Sequence, residues 1–193
     1  MADLYERLDE IQGMTRVLAG DVERLRPLVG EDVAISDGEE ANRRFYVRAV
    51  FALVEAVVEQ HKRLLLDLAE RGAIALATGV RQALSEQVPL VKDNGTVMYR
   101  EQYLQLERKL RVVYRAAGEA LGQPLAVSFG NAGWQSFRAA LEVRDRITHP
   151  KTYEDCHVDG DALDTVNRGH DWFRALNDEF IRCAREHRQA HHW

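Results

Sequence analysis

Leu4, Leu8, Ile11, Thr15, Leu18, Val22 and Leu25 alternate spacings of four and three residues, which sets a narrow apolar stripe along one side of a helix. Pro27 and Gly30 end that pattern, and Ile35-Ser36-Asp37-Gly38 reads as a loop. The stripe only just reaches the minimum of about three or four heptads for a self-associating coil, and Gly13 and Gly20 weaken it further, so the segment reads as a packing helix. A long second helix is predicted over about residues 39–71, with Phe45, Ala49, Leu53, Ala56, Val57, Leu64 and Leu68 at helical period. Val50, Phe51, Val54, Val58, Leu65 and Leu66 add apolar surface on its other sides. A helix apolar nearly all round is central to a bundle or lies at a subunit interface. Gly72 fits the C′ position that closes it.

Residues 73–87 predict a shorter helix, followed by a turn-rich break at Pro89 and Asp93-Asn94-Gly95. Tyr103, Leu106, Leu110, Val113 and Ala117 mark one face of a helix over about 98–121, stopped by Gly122-Gln123-Pro124. Leu125 to Phe129 is a candidate extended piece. Asn131 or Gly133 opens the next helix, with Trp134, Phe137, Leu141, Arg144 and Thr148 on one face and an end at His149-Pro150. The last helix takes Asp161 as its N-cap and carries the stripe Leu163, Val166, His170, Phe173, Leu176 and Phe180. The pattern is an all-α, up-and-down helical bundle. Residues 1–38 form an additional N-terminal helix and loop packed on a bundle of residues 39–193.

Composition narrows the functional classes. Hydrophobic residues make up 46% of the 193 and charged residues 30%, enough to build a core without disulfide or metal. The polar, acidic opening Met1-Ala2-Asp3-Leu4-Tyr5-Glu6 lacks the basic and apolar regions of a secretory signal. The longest apolar runs are cut by Glu55 and Glu59, so no segment is expected to span a membrane. A cytoplasmic location follows as the expectation, with Cys156 and Cys183 as free thiols. The net charge of −5 argues against a protein that coats nucleic acid through a broad basic face. Any RNA contact must then be local.

The segment Arg144-Asp145-Arg146-Ile147-Thr148-His149-Pro150-Lys151 carries the strongest candidate chemistry. Pro150 disfavours helical backbone at His149 and so places that residue at a helix end. Arg144 lies about 7.5 Å back along the axis, on a stripe that ought to be buried, where a guanidinium needs an acidic or phosphate partner. Arginine grips a phosphate through two parallel hydrogen bonds, and histidine moves protons near neutral pH. Together they are the minimum parts for cleaving RNA without a metal. The spacing alone is common: Arg182 and His187 repeat it in the polar tail.

In its helix order, its embedded Glu55 and this Arg–polar–x3–His motif ahead of a closing helix, the chain resembles the HEPN superfamily over about residues 39–188. The resemblance implies a homodimer in which two copies of the motif meet in one cleft, with no metal and no cofactor. It implies an endoribonuclease of toxin or antiphage-effector type, leaving 2′,3′-cyclic phosphate and 5′-hydroxyl ends. Arg144 and His149 would be catalytic, Asp145, Glu55 and Thr148 supporting, and Arg146 and Lys151 would contact RNA. An antitoxin or defence-system partner is a further implication. Other members keep the fold without activity, so a non-catalytic dimerisation or nucleotide- or RNA-binding module is the alternative. In that case Arg144 pairs with Glu55 or another acid and His149 only ends its helix.

Three other groupings have simpler readings. Asp155, His157, Asp159, Gly160 and Asp161 start like a calcium loop, but Val166 stands where the closing glutamate belongs. A solvated loop is expected there. His187 and His191 share a helix face without a third ligand at suitable spacing. His170, on an apolar stripe, reads as a satisfied core histidine.

Overall fold

A computed structural model of the chain describes residues 4–29, 37–123 and 125–191. It has an all-α fold with one small hairpin. In order come α1 (Leu4–Leu25), a 3-10 turn (Arg26–Leu28), α2 (Asp37–Glu70), α3 (Thr78–Leu84), β1 (Gln87–Val91), β2 (Val97–Glu101), α4 (Leu106–Ala120), α5 (Ala132–Thr148) and α6 (Gly160–His191). No helix among the described residues is long and apolar enough to cross a membrane. The chain forms two compact units. One holds α1, α2 as far as Val57, α5, and α6 as far as Asp178; the other holds the remainder of α2 and α6 with α3, the hairpin and α4.

In the first unit four helical segments share a core of Leu8, Ile11, Val22, Val50, Phe51, Val54, Trp134, Phe137, Val166 and Phe173, all nearly fully buried. The contacts fix the directions. Trp134 meets Trp172 while Phe137, further along α5, meets Gly169, earlier on α6, so α5 and α6 are antiparallel. Gly169 is required there: a Cβ would come within 2.9 Å of the Phe137 Cα and 3.2 Å of the Ala140 Cβ. Two helices whose backbones approach this closely leave room only for hydrogen at the crossing point. Phe51 on α2 packs its ring 5.9 Å from that of Phe137, which ties the middle of α2 to α5. Most of the apolar residues around α2 are buried within the chain, among them Val50, Val54, Val58 and Leu65, while Phe45 and Ala52 are exposed.

The second unit is organised around a buried aromatic stack. The His61 ring lies 3.7 Å from that of Phe180 at an interplanar angle of 13°, and its Nδ1 is 3.0 Å from the Tyr114 hydroxyl. Burial pushes the His61 pKa down to about 3. Beside this stack the Glu86 carboxylate accepts from Lys62 Nζ and pairs with Lys109 Nζ, each at 2.9 Å, and accepts from the Leu104 amide at 3.1 Å. Although burial alone opposes ionisation, those donors hold the Glu86 pKa at about 2. Glu86 takes φ 52°, an uncommon value for a side chain other than Gly. This backbone turn starts the hairpin.

The helix expected over 98–121 starts eight residues later, because its first part is strand β2. Where only turns were expected, β1 and β2 pair antiparallel, with Leu90 opposite Met98 and Pro89 opposite Tyr99. Gly95 at φ 78° closes the three-residue loop Asp93-Asn94-Gly95. Tyr103, assigned to a buried face, stands 81% exposed ahead of α4. Residues 125–129 form no strand, and helix α3 is shorter than the expected 73–87. Phe45, which shares the helical period of Leu53 and Val57, is 53% exposed. Asp37 and Gly38, expected in a loop, open α2, whereas Gly30 to Ser36 lie outside the described residues. Gly72 does terminate α2, with φ 74°. The Gly72 and Ala73 amides donate to the Ala69 and Leu68 carbonyls, the paired bonds of a Schellman motif.

Candidate functional site

Helix α5 starts and stops where its sequence says. The Asn131 side chain accepts from the Trp134 amide at 2.9 Å, satisfying one of the free donors of the first turn. At the other end His149 leaves helical geometry with φ −127° and ψ 58°, as its position before Pro150 requires. Its amide still closes the last turn on the Asp145 carbonyl at 3.0 Å. The Thr148 hydroxyl donates to the Arg144 carbonyl at 2.7 Å, and Arg48 of α2 donates to the Ile147 carbonyl at 3.1 Å. The helix end is thus held from within and from α2, and the His149 side chain stands exposed.

The buried stripe of α5 is Trp134, Phe137, Ala140 and Ile147. Arg144 lies at its margin, with 21% of its side chain exposed. Its guanidinium sits 5.4 Å above the centre of the Phe51 ring, a favourable place for a cation. Nη2 donates to Glu55 Oε1 at 2.5 Å, and Nη1 pairs with Asp145 Oδ1 at 2.9 Å. The acid that Arg144 needs is therefore supplied by α2 and by its own neighbour. Glu55 is about half exposed.

The residues assigned to RNA contact are placed differently. Arg146 donates through Nη2 to the His157 carbonyl at 3.0 Å, so it ties the following loop to α5. Lys151 is exposed, and its backbone amide, with that of Thr152, donates to Asp155 Oδ2 at 2.8 and 2.9 Å. These two bonds hold the Asp155 carboxyl below the usual carboxylate range. The calcium-like run resolves into local structure. Asp155 closes this turn, His157 meets Glu40 at 2.8 Å, and Asp159 accepts from the Ala162 amide at 2.8 Å. Asp159, not Asp161, is the side chain that caps α6, because it precedes the first helical turn. Cys156 and Cys183 are free thiols, and Cys183 is buried.

His170 is buried on the stripe of α6 at 3% exposure, but it is not satisfied: neither ring nitrogen has a hydrogen-bond partner. Burial, with the nearby positive Arg174 and Arg26, lowers its pKa to about 4. Its place on an apolar stripe is visible in the sequence; the lack of partners depends on residues distant along the chain.

The structure brings Arg144, Asp145 and Glu55 into one cluster at the end of α5 and joins Thr148 to it through the Arg144 carbonyl. His149 lies beyond it at the helix end. No family model matches the chain, and no curated protein or solved structure matches it either.

Proposed function

We propose that the chain is a metal-independent endoribonuclease in which Arg144 and His149 act on one phosphodiester. The observation that carries this reading is the end of α5. An exposed histidine stands at a broken helix terminus, one and a half turns beyond a guanidinium held over an aromatic ring. An imidazole there takes the proton from a ribose 2′-hydroxyl as the oxygen attacks phosphorus, or returns one to the departing 5′-oxygen. The phosphorus–O5′ bond breaks, leaving a 2′,3′-cyclic phosphate and a 5′-hydroxyl. Arg144 offers two donors to the non-bridging oxygens, exchanging Glu55 and Asp145 for the phosphate. In the homodimer form of this reading, two such helix ends meet across an interface of about 1,000 Å² or more and each contributes to the cleft. An antitoxin-like partner would act by covering it.

A non-catalytic module is favoured by a different observation. Arg144 already has two carboxylate partners, and the cluster it forms with Glu55 and Asp145 carries more negative than positive charge. An interface or structural ion pair has this composition. Cleavage of RNA in EDTA, compared between the wild type and His149→Ala, separates the two. Metal-free cleavage lost in the variant supports the enzyme; no cleavage by either protein supports the module.

A further inference from the structure

Every residue of both hairpin strands is exposed, yet most of them are apolar. Val88, Leu90, Val91, Val97, Met98 and Tyr99 range from 37% to 72% exposure. A two-stranded ribbon is marginal alone in water, and a sheet that stands by itself has three or more strands. The bonds at the two ends of the hairpin show which backbone groups it leaves unused. The Lys92 amide donates to the Thr96 carbonyl and the Gln102 amide to the Glu86 carbonyl. In the hairpin's register the even-numbered residues therefore bond inwards, and the odd-numbered ones turn their backbone groups outwards. On β1 the outward set is Gln87, Pro89 and Val91, and Pro89 has no amide to give. On β2 it is Val97, Tyr99 and Glu101, all with amides, and no further strand pairs with them among the described residues. One edge is closed and the other open. We propose that β2 docks on β2 of a second copy of this chain, antiparallel and centred on Tyr99, to form a four-stranded sheet.

Register, area and closure each point to a second copy as the occupant. Laid antiparallel about Tyr99, the whole of β2 is matched: Val97 stands opposite Glu101, Met98 opposite Arg100, and Tyr99 opposite its own counterpart. No like charges meet, and the two tyrosines become cross-strand neighbours, a favourable aromatic pair. Of the two nearest registers with the same bonding pattern, one sets Arg100 against Arg100 and the other sets Glu101 against the loop at Gly95. The strand therefore fits itself in one alignment. The six apolar side chains expose on the order of 600 Å² per copy, so a contact of about 1,200 Å², where specific interfaces begin, is within reach. Backbone bonds from Val97, Tyr99 and Glu101 add to it. Pro89 interrupts the outer edge of β1 in each copy, so the sheet ends there on both sides. The assembly closes as a two-fold dimer and does not grow into a filament. This contact uses the hairpin alone and is independent of the α5 terminus and of the reading given to it.

Sedimentation of the full chain, as wild type and as Tyr99→Pro, tests this. Proline at position 99 removes the outward amide and spares the inward bonds of the hairpin, as Pro89 does on β1. The assembled mass should halve while the melting temperature stays within a few degrees of the wild type. Tyr99→Val keeps the amide and should keep the mass. An assembly held at the α5 terminus alone would keep its mass in Tyr99→Pro. Cross-linking gives a second measurement that does not depend on the proline variant folding. In a Cys156→Ser background treated with diamide, Tyr99→Cys should form a disulfide-linked dimer. Bonded partners in an antiparallel pair lie about 5.5 Å apart at Cα, within reach of a disulfide. Val91→Cys, on the outer strand, should stay unlinked under the same treatment. A monomeric wild type, a mass unchanged by Tyr99→Pro, or linkage through Val91→Cys as fast as through Tyr99→Cys would each overturn the proposal.

Discussion

Arg144 on α5 and Glu55 on α2 meet at 2.5 Å although 89 residues separate them in the chain. The pair is partly open to solvent, at 21% and 52% exposure, so screening limits its contribution to stability to at most about 1 kcal/mol. Lysine at position 144 can still reach Glu55 and Asp145, and folding should tolerate it. What lysine cannot do is hold a phosphate through two parallel bonds. Arg144→Lys is therefore expected to slow RNA cleavage tenfold or more while its melting temperature stays within a few degrees of the wild type. Rate and melting curve are measured on the same preparation, and full activity would remove Arg144 from catalysis.

His149 makes no buried contact, and its backbone bond to Asp145 does not depend on the side chain. His149→Ala should lose cleavage at a stability cost under about 1 kcal/mol, the ceiling for an exposed side chain at a helix terminus. A variant that unfolds or changes its association state in sedimentation would give this residue a structural role instead.

Gly169 faces backbone, which cannot give way as the end of a flexible side chain does. Gly169→Ala would place a methyl 2.9 Å from the Phe137 Cα. Despite the better helix propensity of alanine, α5 and α6 must separate, and the expected loss is about 1–3 kcal/mol. Urea denaturation measures it. A gain in stability would mean that the two helices can separate at no cost.

Two buried histidines give stability a definite pH dependence. Their native pKa values, about 3 for His61 and about 4 for His170, lie below the ordinary value of 6.5 that they regain on unfolding. Between those limits the unfolded chain binds more protons, so stability is complete above pH 6.5 and falls as the pH drops towards 4 and then 3. For His170 alone the loss by pH 4 is on the order of 3 kcal/mol. His170→Leu should flatten the profile between pH 6.5 and 4. An unchanged slope would show that the ring is not buried as described.

Helix α5 was legible because its signals are local: Asn131 caps it and Pro150 stops it within a few residues of the pattern they bound. The stripe of α6 was legible for the same reason. Strand β2 was not, since every residue of the hairpin is exposed and no alternation of burial marks it, although Asp93-Asn94-Gly95 is a recognised hairpin turn. In the candidate site, Glu55 could be named as an acid within reach of Arg144, but a contact across two helices rests on packing that periodicity does not encode. Arg146 shows the opposite limit. Its charge suggested phosphate, and the His157 carbonyl that takes its guanidinium comes from a loop without a pattern.

The hairpin has a practical consequence. Glu86 anchors its base on Lys62, Lys109 and Leu104, while both strands and the loop at Asn94-Gly95 carry only solvent-exposed side chains. A loop tip with small polar residues and no core contact accepts insertions readily. An epitope or a spectroscopic label placed between Asn94 and Gly95 would therefore meet no buried side chain of the hairpin. This is a position at which the protein can be immobilised or tracked while RNA cleavage is assayed.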